Sequence, residues 1–224
     1  GRLEPEVVGP RRGDTGQVDR PGHDTTGQRE RHTGEHRDRA GPAHVEVTDG
    51  PRHQRLVGPV DLPVAPGRSL FKTRVLAKLL QAAGVAATDR VLVVGCATGY
   101  GAAILARIAA KVVALEENAE LARSAREALA DRSNVEVVSG PLKSGWTAAA
   151  PYDLIVVEGA TEVVPDALLG QLSDGGRLVC VQGGDQAAKA MLYLRTGGEV
   201  SGRAVFDAAA PVLPGFAKTP AFAF

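Results

Sequence analysis

The sequence predicts an α/β fold, a Rossmann-like, doubly wound, mostly parallel sheet with antiparallel closing strands. Three observations predict it. Short, continuously apolar runs alternate with stretches of helical periodicity from about residue 58 onward. The first run of the series leads into a glycine-rich turn, Gly95 to Gly101. A carboxylate, Glu116, ends the next run, 21 residues after Gly95 (116 − 95).

Each element has its own warrant. Pro59, Pro63, Pro66 and Gly67 mark an extended lead-in. Val75, Leu76, Leu79, Leu80 and Ala83 recur at helical spacing and stop at Gly84. Arg90 to Val94 reads as a strand buried on both faces. The pattern predicts a helix over Ala102 to Ala110, with Ile104, Leu105 and Ile108 toward the core, and a second strand over Lys111 to Leu115. Asn118 is a good N-cap for a helix carrying Leu121, Ala122, Ala125, Ala128 and Leu129. Strands follow at Val135 to Val138, Tyr152 to Val157 and Arg177 to Val181, with a helix around Asp166 to Leu172 and a turn at Gly175-Gly176. Met191 to Leu194 and Arg203 to Phe206 are expected to close the sheet antiparallel. The apolar tail Phe206 to Phe224 is expected along the sheet edge.

Residues 1–57 are unlike the rest. The first 55 hold eight apolar residues, ten Arg, ten acids, no Lys and all five His (His23, His32, His36, His44, His53). Such a segment cannot offset its ordering entropy by burial, so it is expected to be a disordered segment preceding a folded domain at 58–224. Its composition also suits an out-of-frame reading of a GC-rich gene. The histidine spacings contain one i,i+4 pair, and no metal site is expected.

Composition excludes several function classes. Lys+Arg and Asp+Glu both number 26, so the net charge is zero and gives no electrostatic case for nucleic acid or anionic lipid. Two cysteines, Cys96 and Cys180, make no disulfide framework, and a reducing cytoplasm is the default. The longest uncharged stretch near the middle, Val91 to Ala106, is too short and glycine-broken for a membrane span, and no leader pattern stands at Gly1. The segment from 58 on has no His, which counts against a Ser-His hydrolase. Ser144, Ser173 and Ser201 lack a nucleophile-elbow pattern.

The glycine turn carries the ligand argument. A dinucleotide fingerprint needs glycine at its first, third and sixth places, which here are Gly95, Ala97 and Tyr100. A bulky Tyr100 argues against NAD. Small residues at Gly95, Ala97 and Gly99 fit a turn passing beneath a nucleoside without a pyrophosphate, such as S-adenosylmethionine (SAM). Glu116 is placed to accept from a ribose diol, although Glu116, Glu117 and Glu120 also suit a solvated helix start. Cys96 reads as a space-filler beside the ligand, Trp146 as a core aromatic, and Glu158 as facing the ligand edge.

The quoted segments VLVVGCATGYGAAILARIA, KVVALEENAELARSAREAL, NVEVVSG and PYDLIVVEGATEVVPDALLGQLSDGGRLVCVQG resemble the protein-L-isoaspartate O-methyltransferase family from about Leu62 to Gly184. The resemblance implies SAM as cofactor and methyl esterification of L-isoaspartyl carboxylates in damaged proteins, with protein or peptide as the partner. It implies Gly95, Cys96, Ala97, Gly99, Tyr100, Glu116, Glu117, Gly140 and Pro141 at the cofactor. The departures are Val93 where the family has an acid, Ala97 where it has glycine, and Pro141 where it has an acid. The family's Thr-Ile-Ser-Gln-Pro segment falls near Pro66 to Leu70, with Arg68 or Ser69 at the active-site Ser, and no catalytic residue is carried over. A SAM-binding module without repair activity and a methyltransferase for another small acceptor are the competing expectations.

Overall fold

A computed structural model describes residues 62–183 and 188–218. The expectations for residues 1–57, the five histidines included, lie outside the described residues. A seven-stranded sheet has the order β5-β4-β3-β6-β7-β8-β9. Its strands are β3 (Arg90–Val94), β4 (Lys111–Glu116), β5 (Val135–Ser139), β6 (Tyr152–Thr161), β7 (Leu172–Gln182), β8 (Lys189–Thr196) and β9 (Glu199–Asp207). The pairs from β5 across to β7 are parallel, and β7-β8-β9 is an antiparallel meander. This is the fold class the sequence predicts. Because β3 and β4 run outward one way and β6 and β7 the other, the strand order reverses between β3 and β6, where such sheets open a crevice at their carboxyl ends.

Alternation along the central strands explains their continuous apolarity. Val91, Val93, Val112, Ala114, Leu154, Val156 and Val179 point into one apolar layer, beneath α1 (Thr73–Ala83), α2 (Tyr100–Leu105) and α3 (Ala119–Ala128). Leu92, Val94, Val113, Leu115, Ile155, Val157 and Leu178 point into the other, beneath α4 (Asp166–Leu169), Leu142, Tyr152 and Phe216. Each of these Val, Leu and Ile side chains, fully withdrawn from water, contributes roughly 1.5–3 kcal/mol. Helix starts and stops follow local chemistry. Asn118 Oδ1 accepts from the Glu120 and Leu121 N–H groups, and Gly84 ends α1 in the left-handed conformation (φ 58°).

Five local expectations need correction. The lead-in is a hairpin, β1 (Leu62–Ala65) and β2 (Arg68–Leu70), turning at Pro66-Gly67. The helix expected over Ala102 to Ala110 ends at Leu105. Asn134 Nδ2 donates to the Ala106 and Ala109 carbonyls that the helix leaves open, and Ile108 is exposed. The helix around Asp166 to Leu172 stops at Leu169, because Leu172 is already paired with Tyr152 at the start of β7. Gly175-Gly176 is a bulge within β7 rather than a turn before it. Pairing jumps from Leu172 to Arg177, and a Cβ at Gly176 would come within 2.8 Å of the Ser173 carbonyl. The segment after β9 does not follow the edge strand over its described residues. Val212 bridges to Ala160 of β6, and Phe216 is buried on the second layer. Among the described residues no helix is long and apolar enough to cross a membrane.

The end of the sheet opposite the crevice is tied by one guanidinium. Arg177 donates to the carbonyls of Ala83, Gly84 and Asp153 and to both oxygens of Asp89, at 2.5 to 3.3 Å. Asp89 is 6% exposed, so removing the arginine strands a buried carboxylate. Arg177→Met is expected to cost about 3 kcal/mol in urea denaturation, whereas Arg123→Met, whose ion pairs are exposed, is expected to leave the unfolding midpoint essentially unchanged. Equal losses in the two variants would contradict the account.

Candidate functional site

The site is built where β3, β4 and β6 end. β3 delivers the chain to Gly95, whose φ of 77° turns it back over the sheet, and the Gly95 and Cys96 N–H groups both donate to the Leu115 carbonyl. Ala97 takes a positive φ of 49°, unusual for a residue with a Cβ, and its N–H points at Glu116. Gly99 (φ 90°) precedes α2, and a Cβ there would come within 2.8 Å of Leu129 Cδ1. Glycine is therefore required at 99 by both conformation and space.

Glu116, the last residue of β4, has no solvent exposure. Its Oε1 accepts from Arg68 Nη1 at 2.5 Å and from the Glu117 and Asn118 N–H groups at 3.1 and 3.0 Å. Its Oε2 accepts from Arg68 Nη2 and the Ala97 N–H, both at 2.9 Å. Five donors thus converge on one carboxylate, three of them backbone. Arg68 reaches it from the β1–β2 hairpin, 48 residues away in sequence, and its Nη2 also donates to the Gly95 carbonyl at 3.2 Å. The guanidinium is 3% exposed and its Nε has no partner. Leu213 closes the same crevice from the C-terminal segment. A Cβ at Gly159 would lie 2.4 Å from its Cγ, and one at Gly95 3.2 Å from its Cδ1.

The remaining expected residues are distributed around this pair. Cys96 is buried, and desolvation first, then the nearby Glu158 and Glu116, push its thiol far above the ordinary range. It is a space-filling group and not a nucleophile. Tyr100 is 42% exposed at the start of α2, and Glu117 is exposed, contributing its N–H rather than its carboxylate. Gly140 follows β5, its N–H donating to the Glu116 carbonyl, and exposed Pro141 borders a pocket of about 310 Å³ with Ser144, Gly145 and Trp146. Trp146 is half-buried against the second apolar layer. Val93, at the place of the family's acid, is buried in the first layer. The turn, Glu116, Glu117 and the β5 end are thus brought together. Sequence reasoning missed the burial of Arg68; a lone Arg just after Pro-Gly carries no local signal of a partner 48 residues on. Among the described residues no three His, Cys, Asp or Glu cluster as a metal site.

Glu158, in β6 beside the crevice, is 4% exposed, and its Oε1 has no hydrogen-bond partner. Burial, opposed by Arg68 and reinforced by Glu116, pushes its carboxyl up to about 8. Between pH 4.5, the unperturbed value, and about 8 the folded chain therefore holds a proton that the unfolded chain has released. Stability is full below that window and falls as pH rises through it. Glu158→Gln removes the ionisation, so its stability is expected to stay flat across the window and to exceed the native chain's above it by a few kcal/mol, on the order of 3–5. Thermal unfolding followed against pH checks this, and parallel curves for the two proteins would contradict it.

Comparison with known proteins matches this architecture. The family model described as protein-L-isoaspartate (D-aspartate) O-methyltransferase matches residues 60–209. A protein-L-isoaspartate O-methyltransferase 2 of Pelobacter propionicus is 39% identical over 140 residues, covering 62% of this chain and 62% of that protein. A protein-L-isoaspartate O-methyltransferase of Roseiflexus castenholzii is 39% identical over 160 residues, covering 70% and 72%. One of Koribacter versatilis is 41% identical over 120 residues, covering 53% and 54%. The matched region thus spans between about half and two thirds of the length of several of these curated relatives. A solved structure of a Plasmodium falciparum protein of this description, in complex with S-adenosyl-L-homocysteine, superposes with a TM-score of 0.60 at 16% identity, covering 69% of this chain and 80% of that one, and so shares the fold. With the family model covering residues 60–209 and the glycine turn, Glu116 and the β6–β7 segment in their expected order, the chain belongs to the protein-L-isoaspartate (D-aspartate) O-methyltransferase family.

Proposed function

We propose that the chain is a SAM-dependent methyltransferase acting on the carboxylate of L-isoaspartyl residues in damaged proteins, with a protein or peptide carrying that residue as its partner. The observation that carries this reading is Glu116, a fully buried carboxylate at the end of β4, one strand from the topological switch point, held toward the glycine turn by three backbone N–H groups. A carboxylate so anchored suits the hydroxyl pair of a ribose, and Gly140 and Pro141, at the end of the neighbouring β5, would hold the adenine. Gly95, Cys96, Ala97 and Gly99 form the floor, with Tyr100 and Glu117 at the rim. The net charge of zero supports neither a nucleic-acid nor a membrane partner, and two buried free cysteines suit a reducing cytoplasm.

The donor set fits SAM once Arg68 withdraws, because the oxygens that the ribose would use are those the guanidinium now occupies. Bound SAM supplies an activated methyl group, and an acceptor carboxylate already carries the electron pair that takes it. The chain's residues therefore have to position and desolvate, and no general base is required. Glu116 orients the sugar, and the buried walls at Leu213 and Cys96 exclude water. A SAM-binding module without transfer activity is the second reading, favoured by the Arg68 guanidinium seated on Glu116 in the crevice.

Calorimetric titration with SAM followed by a methyl-transfer assay on an isoaspartyl peptide tests the proposal. Binding with transfer is expected. Binding without transfer would replace the first reading by the second, and no binding would remove both. Arg68→Met, which leaves Glu116 its backbone donors, is expected to bind S-adenosylhomocysteine about tenfold more tightly than the native chain, since no ion pair has to be broken first. Weaker binding in that variant would count against displacement of Arg68 by the ribose.

A further inference from the structure

Among the described residues, Glu158 Oε1 and Arg68 Nε are the buried side-chain polar atoms without a hydrogen-bond partner, and both lie at the crevice. Glu158 stands one residue beyond Val157, which pairs with Val94, so it lies alongside Gly95 on the β6 side of the turn. Its carboxyl occupies a space that exists only because residue 101 is glycine. A Cβ at Gly101 would lie 1.6 Å from Oε1 and 2.7 Å from Cδ. Gly101 has no positive φ of its own, so its lack of a side chain serves the carboxyl and not the backbone. The charges acting on Glu158 are Arg68 and Glu116, which means that a guanidinium now supplies the positive field in which the acid sits. An unpartnered carboxyl of this kind is costly to keep unless something meets it.

Strand order says what would meet it. Across the carboxyl ends the order is β5, β4, β3, β6. With the adenine toward Gly140 on β5 and the ribose at Glu116 on β4, the 5′ substituent crosses Gly95 after β3 and arrives at Glu158 on β6. In SAM that substituent carries the positive charges, a sulfonium and an α-ammonium. We propose that Glu158, seated in the Gly101 notch, is the residue that recognises the cationic methionyl end of the donor and takes over there when Arg68 leaves. The proposal rests on the SAM reading above. Burial of an ionised Glu158 needs an adjacent positive charge, so a neutral adenosyl ligand gains nothing from it.

Dissociation constants for SAM, S-adenosylhomocysteine and 5′-methylthioadenosine, an uncharged adenosyl thioether, measured with the full chain and with Glu158→Gln, test this. The substitution is expected to weaken SAM by about tenfold or more while leaving methylthioadenosine within about twofold. Homocysteine-adduct binding that falls with SAM assigns the ammonium, and binding that holds assigns the sulfonium; either supports the inference. Gly101→Ala, which drives the carboxyl from its notch while keeping an ionisable acid at 158, is expected to narrow the same SAM preference. An unchanged ratio of SAM to methylthioadenosine in Glu158→Gln, with native circular dichroism, would overturn the inference and leave the SAM reading standing. A native chain that binds none of the three would overturn the SAM reading itself and this inference with it.

Discussion

The ion pair between Arg68 and Glu116 organises the carboxyl end of this sheet. Two charges withdrawn from water are costly, and they persist only where geometry and additional hydrogen bonds compensate. Here the compensation is dense. Glu116 is surrounded by five donors, and Arg68 divides its own between Glu116 and the Gly95 carbonyl. The conformation of the glycine turn follows from it, since Ala97 holds its positive φ with its N–H committed to Glu116. The pair links the β1–β2 hairpin, the turn after β3 and the start of α3 at one point.

That arrangement makes the resting crevice a self-occupied one. A guanidinium sits where a ligand's hydroxyls are proposed to bind, Leu213 packs over Gly95 and Gly159, and Glu158 Oε1 has no hydrogen-bond partner. Binding on this view is an exchange. The backbone donors keep Glu116 anchored while its outer partners change, so the carboxylate is preorganised for either occupant. The exchange also lowers apparent affinity by the work of removing Arg68.

Much of this was legible in residue order. The strands β3, β4, β6 and the second half of β7 announce themselves as apolar runs because both faces are covered, and Asn118 and Gly84 mark helix ends through local hydrogen bonding and backbone conformation that need no tertiary context. Glu116 was legible as a ligand candidate because the distance from a glycine turn to the end of the next strand is set by one helix and one strand. What remained hidden is long-range and polar. Arg68 meets Glu116 across 48 residues, and Arg177 meets Asp89 across 88. No periodicity records such pairings, and a charged residue reads as surface until its partner is placed. Ile108 misled in the opposite sense: an apolar residue at helical spacing stands exposed because Asn134 caps the chain as it leaves the helix early. The meaning of Gly101 was likewise invisible, because a missing side chain shows its purpose only when Glu158 fills the space.

The most direct test of the central claim is a crystal structure of the chain grown with S-adenosylhomocysteine. The account predicts both ribose hydroxyls within hydrogen-bond reach of the Glu116 carboxylate, its three backbone donors retained, and the Arg68 guanidinium moved out of the crevice. A ligand bound elsewhere, with Arg68 still paired to Glu116 between the turn and β6, would contradict it.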